Sequence, residues 1–176
     1  MLKYIALVVL AAIVVLLIAA ALRPDTFRVE RSATINASPE RIHPLINNMA
    51  QMNSWNPFVK RDPDIKGTYR GPAAGPGAAY DFEGNKEVGT GSVEITAATP
   101  EQITMKLDML APMEGHNIIE FRLVPRGNAT DVTWAMHGPS PYMAKLMGLV
   151  FNMDRMIGGA FDTGLADLKA LAERNA

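Results

Sequence analysis

The chain has 176 residues, 20% of them charged, and a formal net charge of −1. That length allows one domain of ordinary size plus an appendage, and the near-neutral balance provides no electrostatic footprint for nucleic acid. With no cysteine in the sequence, disulfides, thiolate metal sites and cysteine nucleophiles are excluded.

The appendage comes first. Between Lys3 and Arg23 the run "YIALVVLAAIVVLLIAAAL" carries no charge. At about 1.5 Å per residue it spans roughly the hydrocarbon core of a bilayer. Residues 1–23 therefore read as an uncleaved, single-pass membrane anchor, since the run exceeds the ~7–15 apolar residues of a signal-peptide core. A cleaved signal peptide is the alternative, with the small residues Ala19 and Ala21 at cleavage-site positions. Lys3 favours one orientation and Arg23, Arg28 and Arg31 the other, so the side of the membrane stays open.

Residues 24–176 read as one domain. "FRVERSATI" (Phe27 to Ile35) alternates and predicts a first strand. A helix follows, with Ser38 as N-cap, Pro39 at the first helical position and Pro44 placed to kink or split it. "MAQMNSWNPF" predicts a short helical turn and then a loop carrying Trp55. The stretch "GPAAGPGAAYDFEGNKEVGTG" (71–91) holds six of the 14 glycines. It does not fit a phosphate-binding loop, because Pro72 and Pro76 lack N–H donors and no Gly-Lys-Ser/Thr follows. It is turn chemistry between strands.

A weak strand at Ile65 to Arg70 is followed by five stronger ones: Ala78 to Glu83, Gly89 to Thr99, Gln102 to Leu110, His116 to Val124 and Thr130 to His137. In "QITMKLDML" the apolar residues Ile103, Met105, Leu107 and Met109 share one face, the pattern of an antiparallel sheet with one wet side. A hairpin turning about Arg126 and Gly127 would pair Ile119 with Trp134, Phe121 with Val132, Arg122 with Asp131 and His116 with His137. Two facing imidazoles would hold at least one below its ordinary pKa, and without a third ligand they make no zinc site. From Ser140 or Pro141 to Glu173, Met143, Leu146, Met147, Val150, Met153, Ile157, Phe161, Leu165, Leu168 and Leu171 form one helical stripe. Gly158 and Gly159 interrupt it, which implies close approach to the sheet, a local kink, or space left for a ligand.

In their order, "INASPERIHPLINN", "WNPF", "GPAAGPGAAYDFEGN", "GTGSVEI", "VTWAMHG" and "MIGGAFDTGLADLKALAE" resemble the START-like superfamily, specifically the polyketide cyclase/dehydrase-like SRPBCC branch. The resemblance covers Phe27 to Ala172 and implies an α+β helix-grip fold, a curved antiparallel sheet wrapped around a long C-terminal helix. It also implies a pocket between sheet and helix for apolar or amphipathic molecules, with the Trp55 loop near its mouth. Taking one parity per strand, the candidate ligand-binding residues are Trp55, Tyr80, Phe82, Met105, Met109, Phe121, Trp134, Met136, Met147 and Phe151. A filled core would show the same pattern. The carboxylates Asp81, Glu83, Glu94, Asp108 and Glu120 fall on the outward parity, which leaves Tyr80 as the lone inward titratable group and no catalytic residue to name. The expected function is a membrane-tethered binding or carrier domain for a lipophilic small molecule, with no metal or cofactor. The alternatives are a cyclase or hydrolase acting in the same cavity, or a sensor or interaction module whose cavity is vestigial.

Overall fold

In the computed structural model, which describes residues 1–150 and 152–174, the apolar run forms α1 (Leu2–Ala21). Among the described residues it is the one helix long and apolar enough to cross a membrane, a test that a signal sequence also passes. Its described side chains are exposed along nearly its whole length and among them only Ala20 is buried, unlike the mostly buried core helix of a soluble domain.

The domain begins with β1 (Thr26–Ile35), and three short helices follow: α2 (Pro39–Asn47), α3 (Met49–Trp55) and α4 (Pro57–Lys60). Each start is written locally. Pro39 and Pro57 occupy first helical positions, while the Asn48 and Asn56 side chains accept from the backbone N–H groups of Gln51 and Phe58. Pro44 does not split α2, which continues to Asn47. The meander β2 (Lys66–Arg70), β3 (Ala79–Glu83), β4 (Thr90–Thr99), β5 (Gln102–Ala111), β6 (Gly115–Arg126) and β7 (Ala129–Pro139) completes one seven-stranded antiparallel sheet in the order β1-β7-β6-β5-β4-β3-β2. The 71–78 turn joins β2 to β3. At Gly89, φ is +79° and an added Cβ would lie 2.2 Å from the Ala111 carbonyl oxygen, so only glycine fits where β4 bulges against β5.

The inward parity holds on every strand. Ile95, Ile103, Met105, Phe121, Leu123, Val132 and Trp134 are buried on the concave side, while Asp81, Glu94, Asp108 and Glu120 lie on the other. The hairpin register differs from expectation by two residues. The turn is Gly127–Asn128 with Gly127 at φ +60°, so Phe121 pairs with Trp134, Ile119 with Met136, Arg122 with Thr133 and Ile118 with His137. A first central glycine is the signature of a type II′ hairpin, and it sets this register. The two histidines therefore do not face each other, and Asp131 is engaged by Arg126 rather than Arg122.

The C-terminal stripe also departs from the single helix expected. It divides into α5 (Tyr142–Val150) and α6 (Met153–Glu173), and the Asn152 side chain caps α6 by accepting from the Arg155 N–H. Only α6 grips the sheet, running chiefly along β1, whereas α5 lies against α1. Arg31 projects from the inward face of β1 toward α6 and bridges Asp154 at 2.9 Å and Asp162 at 3.4 Å. Gly158 is where it passes, since a Cβ there would sit 2.0 Å from Arg31 Nη2.

The glycines of α6 give a matched pair of outcomes. A Cβ at Gly159 meets nothing within 4 Å, so Gly159→Ala gains the ~1 kcal/mol helix propensity that glycine forfeits. A Cβ at Gly164 would lie 2.6 Å from the Trp134 ring and 2.9 Å from Pro57, both fixed in the core. Overpacking of about 1–3 kcal/mol then outweighs the propensity gain, and Gly164→Ala is expected to destabilise. Urea midpoints should move in opposite directions, and a common shift would contradict this packing.

Candidate functional site

The ten residues expected to bind a ligand fall into three groups. Trp55, Met105, Phe121, Trp134 and Met136 belong to the packed core. Trp134 stacks on Phe161 of α6 at 4.2 Å and 11°, meets Trp55 edge-on at 5.7 Å and lies 5.0 Å from Phe121. Trp55 ends α3 instead of riding on a loop at a pocket mouth. It is 1% exposed, and its indole N–H donates to the Leu45 carbonyl at 2.9 Å. The α2–α4 segment, which sequence alone could not place, fills the space between sheet and α6. The Trp134 indole nitrogen is buried without a hydrogen-bond partner among the described residues.

Tyr80, Phe82 and Met109 form the second group, on the inner face of β3 and β5. The helices cover β1, β7 and β6 but leave this wing half open, so that Phe82, Val93, Leu107 and Met109 are only half-buried. Across the strands run two inner rows. One reads Tyr69, Tyr80, Val93, Leu107, and the other Gly67, Phe82, Gly91, Met109, Gly115. Met113 in the β5–β6 loop is also exposed. Tyr80 lies over Gly67 and against Tyr69, ring centres 4.9 Å apart; burial, then Tyr69, raises its pKa, so the phenol stays neutral. The third group is Met147, exposed on α5 away from the sheet, while Phe151 lies outside the described residues.

His116 sits on the outer face. Its Nδ1 is 2.7 Å from Asp108, which also pairs with Lys106 at 3.0 Å. The hydrogen bond to Asp108 raises the His116 pKa above the ordinary 6.5 and lowers that of Asp108, opposite to what a histidine pair would do. The signs follow by linkage. The raised His116 adds stability below its unfolded value and loses it as pH rises through the folded one. The lowered Asp108 adds stability above 3.8 and loses it as pH falls through the folded value. In an NMR titration His116 should titrate above 6.5 and return toward it in Asp108→Asn; a depressed value would contradict the pairing.

A cavity of about 490 Å³ lies elsewhere, where α1 joins the domain, and none of the expected residues that the structure describes lines it. Arg23 and Lys145 are its cations. Sequence reasoning used Arg23 only to weigh orientation and passed over Lys145, although a single charge in the apolar run "YMAKLMGLV" was a usable signal.

Residues 26–173 match the family described as polyketide cyclase / dehydrase and lipid transport. Among curated proteins there is no match. A protein from Chromobacterium violaceum superposes with a TM-score of 0.59 at 18% identity, over 86% of this chain and 99% of its own. Major latex-like protein 151 from Panax ginseng does so with 0.60 at 11% identity, over 85% and 99%. A Mycobacterium smegmatis protein gives 0.57 at 17%, over 85% and 92%. These likenesses establish the helix-grip fold.

Proposed function

Because the chain belongs to the polyketide cyclase/dehydrase and lipid transport family, we propose that residues 24–176 bind a lipophilic small molecule and that residues 1–23 hold this domain at a membrane. One observation carries the reading: the uncovered half of the concave face. There Phe82, Val93, Leu107 and Met109 offer apolar surface that no helix closes off, beside a glycine, Gly115, whose missing side chain would meet only Asn117 at 3.7 Å. Burying such surface against an apolar ligand is favourable by about 25 cal/mol per Å² and demands no charged partner. Methionine at position 109 suits a site that must adapt to varied shapes.

The test uses residues 24–176 alone with a fluorescent fatty acid. The parent domain should bind it, and Gly115→Leu should bind it several-fold more weakly while unfolding within about 0.5 kcal/mol of the parent. Unchanged binding would remove the wing as the site. The tight Trp55–Trp134–Phe161 packing supports a second reading, an interaction module with a closed interior. A parent domain that binds no apolar probe at all would favour it.

A further inference from the structure

The cavity at the junction has charged residues that the inner face of the wing lacks. It contains Arg23 and Lys145, the hydroxyl residues Thr26 and Ser140, and apolar walls from Phe27 and Leu149. Its volume of about 490 Å³ falls within the ~300–1,000 Å³ of small-molecule sites. Arg23 stands apart from its ion pairs. Lys145 pairs with Asp25 at 2.5 Å, and the lining carboxylate Asp154 is held by Arg31 at 2.9 Å. The Arg23 guanidinium donates to the Gly148 carbonyl at 2.8 Å and meets no carboxylate among the described residues. Arg31 is shared between Asp154 and Asp162, so Arg23 is the lining cation without a carboxylate partner among the described residues.

Depth is set by two contacts between α1 and α5. The Tyr142 hydroxyl donates to the Leu17 carbonyl at 3.1 Å, and Arg23 reaches Gly148. The two helices therefore run in the same direction, with Tyr142 beside Leu17 and Gly148 beside Arg23. Leu17 is four residues inside the end of the apolar run at Ala21, about 6 Å at the helical rise. If α1 spans, the first turn of α5 lies at acyl-chain level and its last turn at headgroup level. Met143 and Met147 are exposed along it, 62% and 40%, and supply an apolar flank. Lys145 is only 8% exposed and directs its ammonium to Asp25, outside the apolar run.

We propose that this cavity holds the phosphate headgroup of an anionic phospholipid, with Arg23 as its charged partner and the acyl chains beside α5 in the bilayer. The proposal rests on the tether reading and is independent of the wing site. A zwitterionic headgroup brings its own cation and gains less from Arg23. Gly148 matters because a side chain there would begin 2.9 Å from Arg23 Nη1 and displace it.

The experiment places the full chain in nanodiscs of phosphatidylcholine doped with phosphatidylglycerol, ejects it by native mass spectrometry and counts retained lipids. Phosphatidylglycerol should be retained preferentially. Arg23→Gln should lower that preference about tenfold, the loss expected for one charge-assisted hydrogen bond. Gly148→Leu should do the same without altering charge, and Arg23→Lys should keep part of the preference. Inorganic phosphate should not compete; displacement of the lipid by phosphate alone would assign the site to the free anion. Equal retention of the two lipids, or an Arg23→Gln chain that behaves as the parent, overturns the headgroup site. A chain that fails to enter the discs overturns the tether together with it, so the two failures are distinguishable.

Discussion

Trp134→Ala is expected to cost about 3–5 kcal/mol, a large share of the ~5–15 kcal/mol that holds a domain of this size folded. The indole sits at the centre of an aromatic cluster drawn from five elements. It projects from β7, stacks on Phe161 of α6, meets Trp55 of α3 and Phe58 of α4 edge-on, and packs on Phe121 of β6. Truncation leaves an aromatic-sized void among rings that are each anchored to a different element, so collapse around it is limited. Trp134→Phe separates packing from polarity: the indole N–H has no partner among the described residues, so no hydrogen bond to them is lost. Equilibrium urea unfolding measures both. A cost under about 1.5 kcal/mol for the alanine variant would mean that the surroundings already tolerate a void, and would return Trp134 to the ligand-contacting set.

The second large effect concerns location. The full chain should remain with membranes after alkaline or high-salt washing, whereas a chain beginning at Thr26 should partition into the soluble fraction. Each Leu, Ile or Val at the centre of a span contributes roughly 0.3–0.6 kcal/mol to insertion, and the α1 run is composed almost entirely of these and alanine. The shortened chain also loses Asp25, the partner of Lys145, and uncovers the side of α5 that α1 occupied. It should therefore self-associate more than a helix-grip domain without α5 exposed. Recovery of a mature chain beginning near Leu22 would identify a cleaved signal peptide instead.

Most of the fold was legible because strand alternation is a local signal. Met105 and Phe121 announce their inward side by their immediate neighbours alone. What parity cannot see is a shift of two, which returns every side chain to the same face. That is why the expected pairing of Ile119 with Trp134 had the right face and the wrong partner. Gly127 ahead of Asn128 carried the missing information in its turn type. The helix break was hidden by a continuous apolar spacing through Met147 and Ile157, although Asn152 followed by Asp154 reads in retrospect as a cap with a first-turn acid. For the site, parity identified inward residues but not which were covered. Met105 and Met109 are indistinguishable in "QITMKLDML", yet one is fully buried and the other lies on the open wing. Coverage depends on where α2 to α4 settle, a long-range outcome.

The pairing of β1 with β7 has a consequence for how the chain is made. Every strand from β2 to β7 finds a partner in the strand synthesised just before or after it, but Ile35 must wait for Thr130. At about 5–20 residues per second on the ribosome, that separation is a delay of several seconds or more, and α6, which clamps β1 from inside, is completed later still. During the delay β1 is an unsatisfied edge emerging next to the apolar run. Its sequence is suited to the wait: Arg28, Glu30 and Arg31 interrupt the apolar positions with charge, which discourages pairing with the wrong chain. Closure of the sheet is expected to be slow, because its contacts span the domain from end to end.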